Sequence, residues 1–205
     1  MNKLLLLAFL LATPLMAQTP VPVFDGMVTP EEWAQGQKFQ IQYEIDPGNN
    51  SPSHNLTDVF VSYSETHLYV GFIAYANMST LRSSIRNRDE AWQDDLVMFG
   101  LDTYGDGRYL VNFGSNAEGN QVDMKFSADG RDDESYDINF ESKASKHEKA
   151  YHVELKIPTT SLVLAHLLAA LKQSINCYGN CRPASPRLSS PSISRQCSAL
   201  LSLTA

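Results

Sequence analysis

Short runs of alternating apolar and polar residues fill the middle of the chain, and clusters of Gly, Pro, Asn, Asp and Ser separate them. Alternation with a period of two is typical of strands that bury one face. The pattern predicts eight strands, at residues 39–44, 57–64, 67–76, 95–101, 108–113, 121–126, 138–142 and 151–157. So many short strands with frequent turns predict an all-β protein, an antiparallel and jelly-roll-like β-sandwich.

Two segments favour helices. Pro30 follows Thr29 and precedes two glutamates, which is the usual composition of a helix start. One short N-terminal helix is therefore predicted at residues 30–36, with Trp33 directed into the core. A second helix is predicted at residues 162–172.

The first 17 residues differ from the rest of the chain. They combine Lys3, an apolar run too short to span a bilayer, and the small residue Ala17 at their end. This pattern is typical of a secretory signal peptide, and the alternative is an uncleaved anchor. It predicts export to a periplasm, an outer surface or the extracellular medium, with a mature domain at residues 18–162.

The C-terminal segment, residues 163–205, is also anomalous. All 23 acidic residues precede it, it contains all three cysteines, and it is rich in Ser and Pro. We interpret it as lying outside the domain. It is either the product of a reading-frame change after Leu162 or a flexible Ser/Pro-rich tail, and both alternatives predict disorder.

Charge limits the partners. Residues 18–160 contain 23 acidic and 11 basic residues, a net charge of −12. Such an acidic domain does not favour nucleic acid or an anionic membrane surface. A second long apolar segment is missing from the sequence, so no transmembrane span is predicted.

Motifs of common enzymes are missing from the sequence. Asp94 and Asp95 are adjacent, and on a strand they would point to opposite faces. Asp95 and Asp102 would lie more than about 20 Å apart on an extended segment, too far to flank one glycosidic bond. A catalytic pair contributed by different strands stays possible, so hydrolysis of O-glycosyl bonds is kept as an alternative.

A cation site is the next candidate. Asp102 and Asp106, followed by Gly107, resemble half of an EF-hand loop, but Phe113 stands where the bidentate glutamate would be. We take Asp102 and Asp106 as candidate calcium ligands. The alternative is ordinary turn chemistry, in which Asp and Gly are common.

Aromatic residues in polar surroundings are typical of sugar-binding sites, because rings stack on the apolar faces of sugars. Trp92 lies among Glu90, Gln93, Asp94 and Asp95, outside any apolar run. This setting predicts a partly exposed indole. Tyr136, in an acidic loop, is a candidate second platform.

Several motifs, in this order, resemble family 9 carbohydrate-binding domains. They are Phe24 to Gly26, Pro30 to Trp33, Thr57 to Val61, His67 to Phe72, Trp92 to Asp95 and Tyr151 to Pro158. The variant with the greatest resemblance stands at the front of large exported bacterial proteins of unknown function. Its further matches are Arg88-Asp89, Asp94-Asp95, Leu101 to Tyr104 and Asp106 to Arg108. Those relatives continue beyond the closing strand, so the resemblance implies a C-terminal truncation here.

The resemblance implies a carbohydrate-binding β-sandwich in which Trp92 stacks on the sugar. Asp95, Arg108 and Asn112 would then lie nearby for its hydroxyl groups. Met98 stands where sugar-binding members usually offer a glutamate, so one charge-assisted hydrogen bond is lost. The sequence therefore supports a non-catalytic module that binds a glycan, linked to glycan catabolism. The alternatives are a hydrolase, or part of one, and a structural or docking domain that has lost sugar binding.

Overall fold

The computed structural model describes residues 21–44, 51–103, 108–162, 176–183 and 195–202. Ten strands lie within these ranges. They are β1 (Gln37–Glu44), β2 (Ser51–Tyr63), β3 (His67–Tyr75), β4 (Leu96–Leu101), β5 (Tyr109–Asn116), β6 (Gln121–Ser127), β7 (Glu141–Lys146), β8 (Ala150–Pro158), β9 (Asn176–Pro183) and β10 (Arg195–Ser202). Two short 3-10 helices, Ala91–Gln93 and Thr159–Leu162, complete the regular structure of these ranges.

The strands follow the order β6-β5-β4-β10-β9-β1-β2-β3-β8-β7. Neighbouring strands are antiparallel except at β4–β10 and β1–β9, which are parallel. The sheet folds back on itself, so that β4 and β5 pack against β3 and β8. The result is the all-β sandwich that the sequence predicted.

The core lies between these two layers. Phe99 of β4 and Phe113 of β5 are fully buried and share one apolar cluster with Phe72 of β3 and Val153 of β8. Each of these residues belongs to an alternating set on its strand, so the inward positions are the ones that the period of two marks. The remaining positions of each strand point away from this core, and many of them are buried in two further apolar clusters.

The predicted strand bounds differ most at β2, which begins at Ser51 and not at residue 57, and at β7. A strand was predicted at residues 138–142, but β7 begins at Glu141. Ile138 and Phe140 are buried as their apolar character indicates, yet the N–H of Ile138 donates to the carboxylate of Asp123 (2.5 Å) instead of joining a strand ladder. The alternation at residues 138–142 therefore predicted burial correctly and predicted strand hydrogen bonding wrongly.

The predicted N-terminal helix is not formed, and residues 30–35 make successive turns. Trp33 N–H donates to the Thr29 carbonyl (3.3 Å), but Gly36 N–H already donates to the Trp33 carbonyl (2.9 Å), which closes the turn. The indole lies on β3, where a Cβ on Gly71 would be 2.8 Å from its Cζ2 atom. Trp33 is buried, as predicted.

The C-terminal segment supplies β9 and β10. The sequence indicated disorder for residues 163–205, and the structure gives strands to 176–183 and 195–202. These strands pair with each other, and β10 runs beside β4. The domain boundary after residue 162 and the reading-frame hypothesis stay predictions. The predicted helix at 162–172 falls mostly outside the described residues.

Candidate functional site

The outward positions of β4, β5 and β6 form one continuous surface, here called the outer face. Register places Met98 beside Gly114 and Val122, and it places Asn112 beside Gly100 and Met124. Because side chains alternate across a strand, these positions point away from Phe99 and Phe113 in the core. Two candidate residues of the sequence, Met98 and Asn112, therefore share a face.

Trp92 joins the outer face from the 3-10 helix Ala91–Gln93. Its half-buried ring packs against an apolar cluster that includes outward side chains of β4 and β6. The buried members of the cluster are Ala91, Leu96, Met98, Val122 and Met124. One side of the indole is thus fixed by packing while part of the ring stays exposed, as the polar surroundings of Trp92 predicted.

Asn112 presents a buried and unpartnered donor. Its side chain is 5% exposed, and its amide nitrogen Nδ2 makes no hydrogen bond among the described residues. Leaving a buried donor unsatisfied costs about 1–3 kcal/mol. The nitrogen is itself covered, so a ligand oxygen on the outer face would remove that cost only after a neighbouring side chain moved aside.

A small cleft extends the outer face toward the start of β5. Its volume is about 80 Å³, and its lining comprises Arg108, Tyr109, Leu110, Phe126, Ser127 and Ala128. Leu110 and Phe126 are register partners on the same face as Asn112. The candidate residue Arg108 is exposed at the rim of this cleft. The sequence did not single out Leu110 or Phe126, although alternation from Asn112 would have placed Leu110 beside it.

Asp95 holds a neighbouring segment in place. Its carboxylate accepts the N–H of Arg82 (2.9 Å), and its own N–H donates to the Arg82 carbonyl (2.7 Å). The Asp94 carboxylate holds the same segment two residues after Arg82, where it accepts the N–H of Ser84 (3.1 Å). It also accepts from the side-chain amide of Asn116 (2.9 Å). These two aspartates fix the chain that precedes Trp92, and a contact of Asp95 with ligand stays a prediction.

Tyr136 lies away from the outer face. It packs against the inter-layer core, and its ring is 5.7 Å from the ammonium of Lys125. Lys125 is the register partner of Val111, whose side chain belongs to the core side of β5. Trp92 and Asn112 thus belong to the outer face and Arg108 to the rim of the cleft, whereas Tyr136 lies on the core side.

The fold brings together a set of carboxylates that the sequence did not single out as metal ligands. Asp102 is buried, and Asp106 lies outside the described residues. Among the described residues, a different set of carboxylates converges, with oxygens within 4.8 Å of one another: Asp89, Asp123 and Asp137. Calcium binding stays a prediction.

That acidic cluster has its own cation, the guanidinium of Arg88. Arg88 lies 2.7 Å from Asp123 and 3.5 Å from both Asp89 and Asp137. Burial raises the pKa of Asp123 to about 6, although the N–H of Ile138 and the charge of Arg88 oppose the rise. A divalent ion would have to compete with an arginine already in place. The sequence could not show this convergence, because the three carboxylates are far apart along the chain.

Gly114 allows Met98 to lie flat on the outer face. A Cβ at this position would be 2.8 Å from Met98 Cγ, 2.8 Å from the Val97 carbonyl oxygen and 2.9 Å from Val122. We expect Gly114→Ala to lower the free energy of unfolding by about 1–3 kcal/mol, the usual cost of overpacking, measured by urea denaturation. In a Met98→Ala background the loss should shrink without vanishing, because the contact with Val97 remains. An unchanged urea midpoint for Gly114→Ala would contradict this packing.

The sequence matches no family model and no curated protein. Its fold is similar to that of a candidate carbohydrate-binding protein from Bacteroides uniformis, with a TM-score of 0.54 and 10% identity over 89% of this chain and 100% of that chain. At this identity the likeness shows a shared fold.

Two structures of a carbohydrate binding module family 9 from Caldicellulosiruptor kristjanssonii are also similar in part. The complex with cellotriose has a TM-score of 0.43 and 18% identity, over 67% of this chain and 63% of its own. The complex with glucose has a TM-score of 0.44 and 17% identity, over 69% of this chain and 66% of its own.

Among the described residues, no helix has the length and apolar composition needed to cross a bilayer.

Proposed function

We propose that this chain is a non-catalytic carbohydrate-binding module whose site is the outer face of β4, β5 and β6. The observation that carries the proposal is the unpartnered amide of Asn112, which is buried on the same face as the half-exposed Trp92. The sequence motifs that resemble family 9 carbohydrate-binding domains support the same conclusion independently of the geometry. The shared fold with a candidate carbohydrate-binding protein is consistent with it.

The chemistry of the outer face suits a sugar. A pyranose has an apolar C–H face, which would stack on Trp92. Its hydroxyl oxygens would accept from Asn112 once the side chains that cover this amide move aside. Binding sites of this kind combine an apolar lining with a small number of placed polar groups. Arg108, at the rim of the cleft, would donate to a further oxygen of a second sugar unit.

Trp92→Ala is expected to weaken glycan binding by about 10- to 100-fold, because loss of the stacking ring removes roughly 1–3 kcal/mol. Asn112→Leu, which removes the donor but keeps the volume, should weaken binding about tenfold. The ligand would first be chosen from a glycan array that includes cello-oligosaccharides, and affinities would then be measured by isothermal titration calorimetry.

Tyr75→Ala is the matched control, because Tyr75 is an exposed aromatic residue on β3, in the other layer. It should leave affinity unchanged. Absence of binding to every glycan on the array, with and without calcium, would contradict the proposal. Equal affinity of the Trp92→Ala variant for a glycan that the native chain binds would place the site elsewhere.

Met98 favours a second candidate function, a docking domain without sugar affinity. Its side chain is 4% exposed and fills the outer face with apolar atoms where the resemblance implies a glutamate. A chain that folds, binds no glycan and keeps Trp92 packed would support docking. Export to the periplasm or beyond and a calcium ion at Asp102 and Asp106 belong to the same proposal. Cell fractionation and a thermal-shift titration with calcium test them.

A further inference from the structure

The strand ladder defines the nearest neighbours of Asn112 on the outer face. Its register partners are Gly100 on β4 and Met124 on β6. Residues directly opposite each other on antiparallel strands share a face, with their Cβ atoms about 4.5–5.5 Å apart. Because Gly100 has no side chain, Met124 is the cross-strand side chain that lies directly beside the amide of Asn112.

The neighbours of Asn112 along its own strand are Leu110 and Gly114, two residues away on the same face. Gly114 also has no side chain, and Met98 takes the space above it, because a Cβ at Gly114 would be 2.8 Å from Met98 Cγ. The register partner of Met98 is Gly114, so Met98 lies diagonally to Asn112 and not opposite it. Met98 is therefore fixed over the glycine.

Met124 is the buried side chain of this surface that is best able to move. It is 8% exposed, whereas the other four buried members of its apolar cluster are at most 4% exposed. The side chain of Met is unbranched and has several rotatable bonds, so it changes shape more easily than Leu or Phe. Met124 thus combines flexibility and partial exposure with the position opposite Asn112.

The cleft at the start of β5 lies next to this pair of residues. Leu110 and Phe126 line the cleft, are register partners, and lie two residues from Asn112 and Met124 on the same face. Among the described residues, the lining of the cleft does not extend to Asn112 or Met124. Displacement of the Met124 side chain would therefore extend the cleft to the amide of Asn112.

Two opposing effects act on Met124. Its burial in the apolar cluster removes apolar surface from water, which favours the arrangement seen in the structure. The same arrangement leaves Nδ2 of Asn112 buried without a hydrogen bond among the described residues, and this is unfavourable. Once Met124 moved aside, water or a ligand oxygen would pair with Nδ2. Opposing effects of similar size leave a minor conformation populated at about 0.1–10%.

We propose that Met124 is a gate over a polar subsite at Asn112. In the closed arrangement the Met124 side chain covers the amide, and in the open arrangement it exposes Nδ2 to the cleft. The ligand is the glycan of the proposed function, on which this part of the inference rests, and it contributes an acceptor oxygen. The subsite selects sugars that place an oxygen at the inner end of the cleft, and Met124 sets the cost of reaching Asn112.

Exchange of the Asn112 side-chain amide protons with water measures the gate without any ligand. These protons are exposed only in the open fraction, so they should exchange at least about tenfold more slowly in the native chain than in a Met124→Ala variant. NMR spectroscopy of the ¹⁵N-labelled chain resolves them. Equal exchange rates in the native chain and in Met124→Ala would overturn the gate.

Met98→Ala is the matched control, because it removes the same kind of side chain from the same cluster at the diagonal position. It should lower the free energy of unfolding in the same way, by leaving a cavity. The exchange rate of the Asn112 amide should nevertheless stay close to the native rate. Faster exchange in Met98→Ala than in Met124→Ala would assign the cover to Met98 and overturn the role of Met124.

The dependence of this exchange on urea needs no variant, so it decides the question even if Met124→Ala does not fold. Opening of a side chain exposes little surface, so the exchange rate of the Asn112 amide should not change with urea below the unfolding transition. A rate that rises with urea as steeply as global unfolding would show that water reaches Asn112 only in the unfolded chain. That result would overturn the gate.

Glycan affinity provides an independent measure of the same open fraction. For a glycan chosen from the array, Met124→Ala should tighten binding by the factor by which it raises exchange, because the apparent dissociation constant scales inversely with the open fraction. In an Asn112→Leu background this gain should vanish, since the group that the gate covers is gone. Isothermal titration calorimetry measures both affinities.

Failure of the gate and failure of the proposed function give different results. Equal affinities of the native chain and Met124→Ala, for a glycan that binds more weakly to Trp92→Ala, would overturn the gate and leave the proposed function intact. Absence of binding to every glycan would overturn the proposed function and the ligand of the subsite. The exchange rates of the Asn112 amide would then still decide whether Met124 opens.

Discussion

Arg88→Met is expected to lower the free energy of unfolding by about 3–5 kcal/mol, because it leaves a buried charge without its partner. Arg88 donates to Asp123 through Nε (3.1 Å) and Nη2 (2.7 Å), and to Gln121 through Nη1 (2.9 Å). It also donates to the Ile138 carbonyl. Asp123 is fully buried. Urea denaturation followed by circular dichroism measures the loss.

The loss should be larger at pH 8 than at pH 5. The folded pKa of Asp123 is about 6, above its ordinary value, so its contribution is lost as pH rises through 6. Arg88 lowers this pKa, so in the Arg88→Met variant the pKa of Asp123 in the folded state must rise further. The decrease in stability with rising pH must then extend to higher pH. In an Arg88→Met/Asp123→Asn double variant, most of this pH dependence should disappear.

Arg131→Met is the control for Arg88. Arg131 pairs with Asp129, but its side chain is 86% exposed, and exposed ion pairs contribute little to stability. The urea midpoint of that variant should not change measurably. If Arg88→Met also left the midpoint unchanged, Arg88 would not be the counterion on which the acidic cluster depends.

The strands were predictable because burial on one face dictates alternation. β3 and β8 lie within two residues of their predicted bounds, since each carries an unbroken alternating or apolar run. β7 was misplaced, because its own sequence alternates weakly and Ile138, just before it, is buried without strand pairing. The local sequence pattern thus predicts burial well. It predicts hydrogen-bond partners only where the buried residues also belong to a paired strand.

The candidate site was predictable in part for the same reason. Met98 and Asn112 occupy outward positions that alternation from Phe99 and Phe113 defines. The approach of Trp92 to them depends on how the preceding segment folds back, which Asp94 and Asp95 fix through hydrogen bonds to residues 82–84. The contacts of residues 25–28 with β8 and the cluster around Arg88 join residues far apart along the chain. No short-range pattern encodes such contacts.

Trp33→Ala is expected to lower the free energy of unfolding by about 3–5 kcal/mol, the usual cost of truncating a buried aromatic residue. The indole is 2% exposed, covers Gly71, and lies 6.1 Å from the Phe60 ring, centroid to centroid. Trp92→Ala is the control, because that ring is only half-buried; it should cost less stability and should instead weaken glycan binding. Urea denaturation of both variants separates the roles of the two tryptophans.

A double-mutant cycle tests the contact beneath Trp33 directly. Gly71→Ala alone should be destabilising, because its Cβ would be 2.8 Å from Cζ2 and 3.0 Å from Cε2 of the indole. In the Trp33→Ala background the same substitution should cost much less, since the ring is gone and the next approach, to Val28, is 3.1 Å. The difference between the two losses is the interaction energy of the pair. Strictly additive losses would show that the indole does not pack on Gly71. The burial of the outward surface of β3 would then depend on other residues.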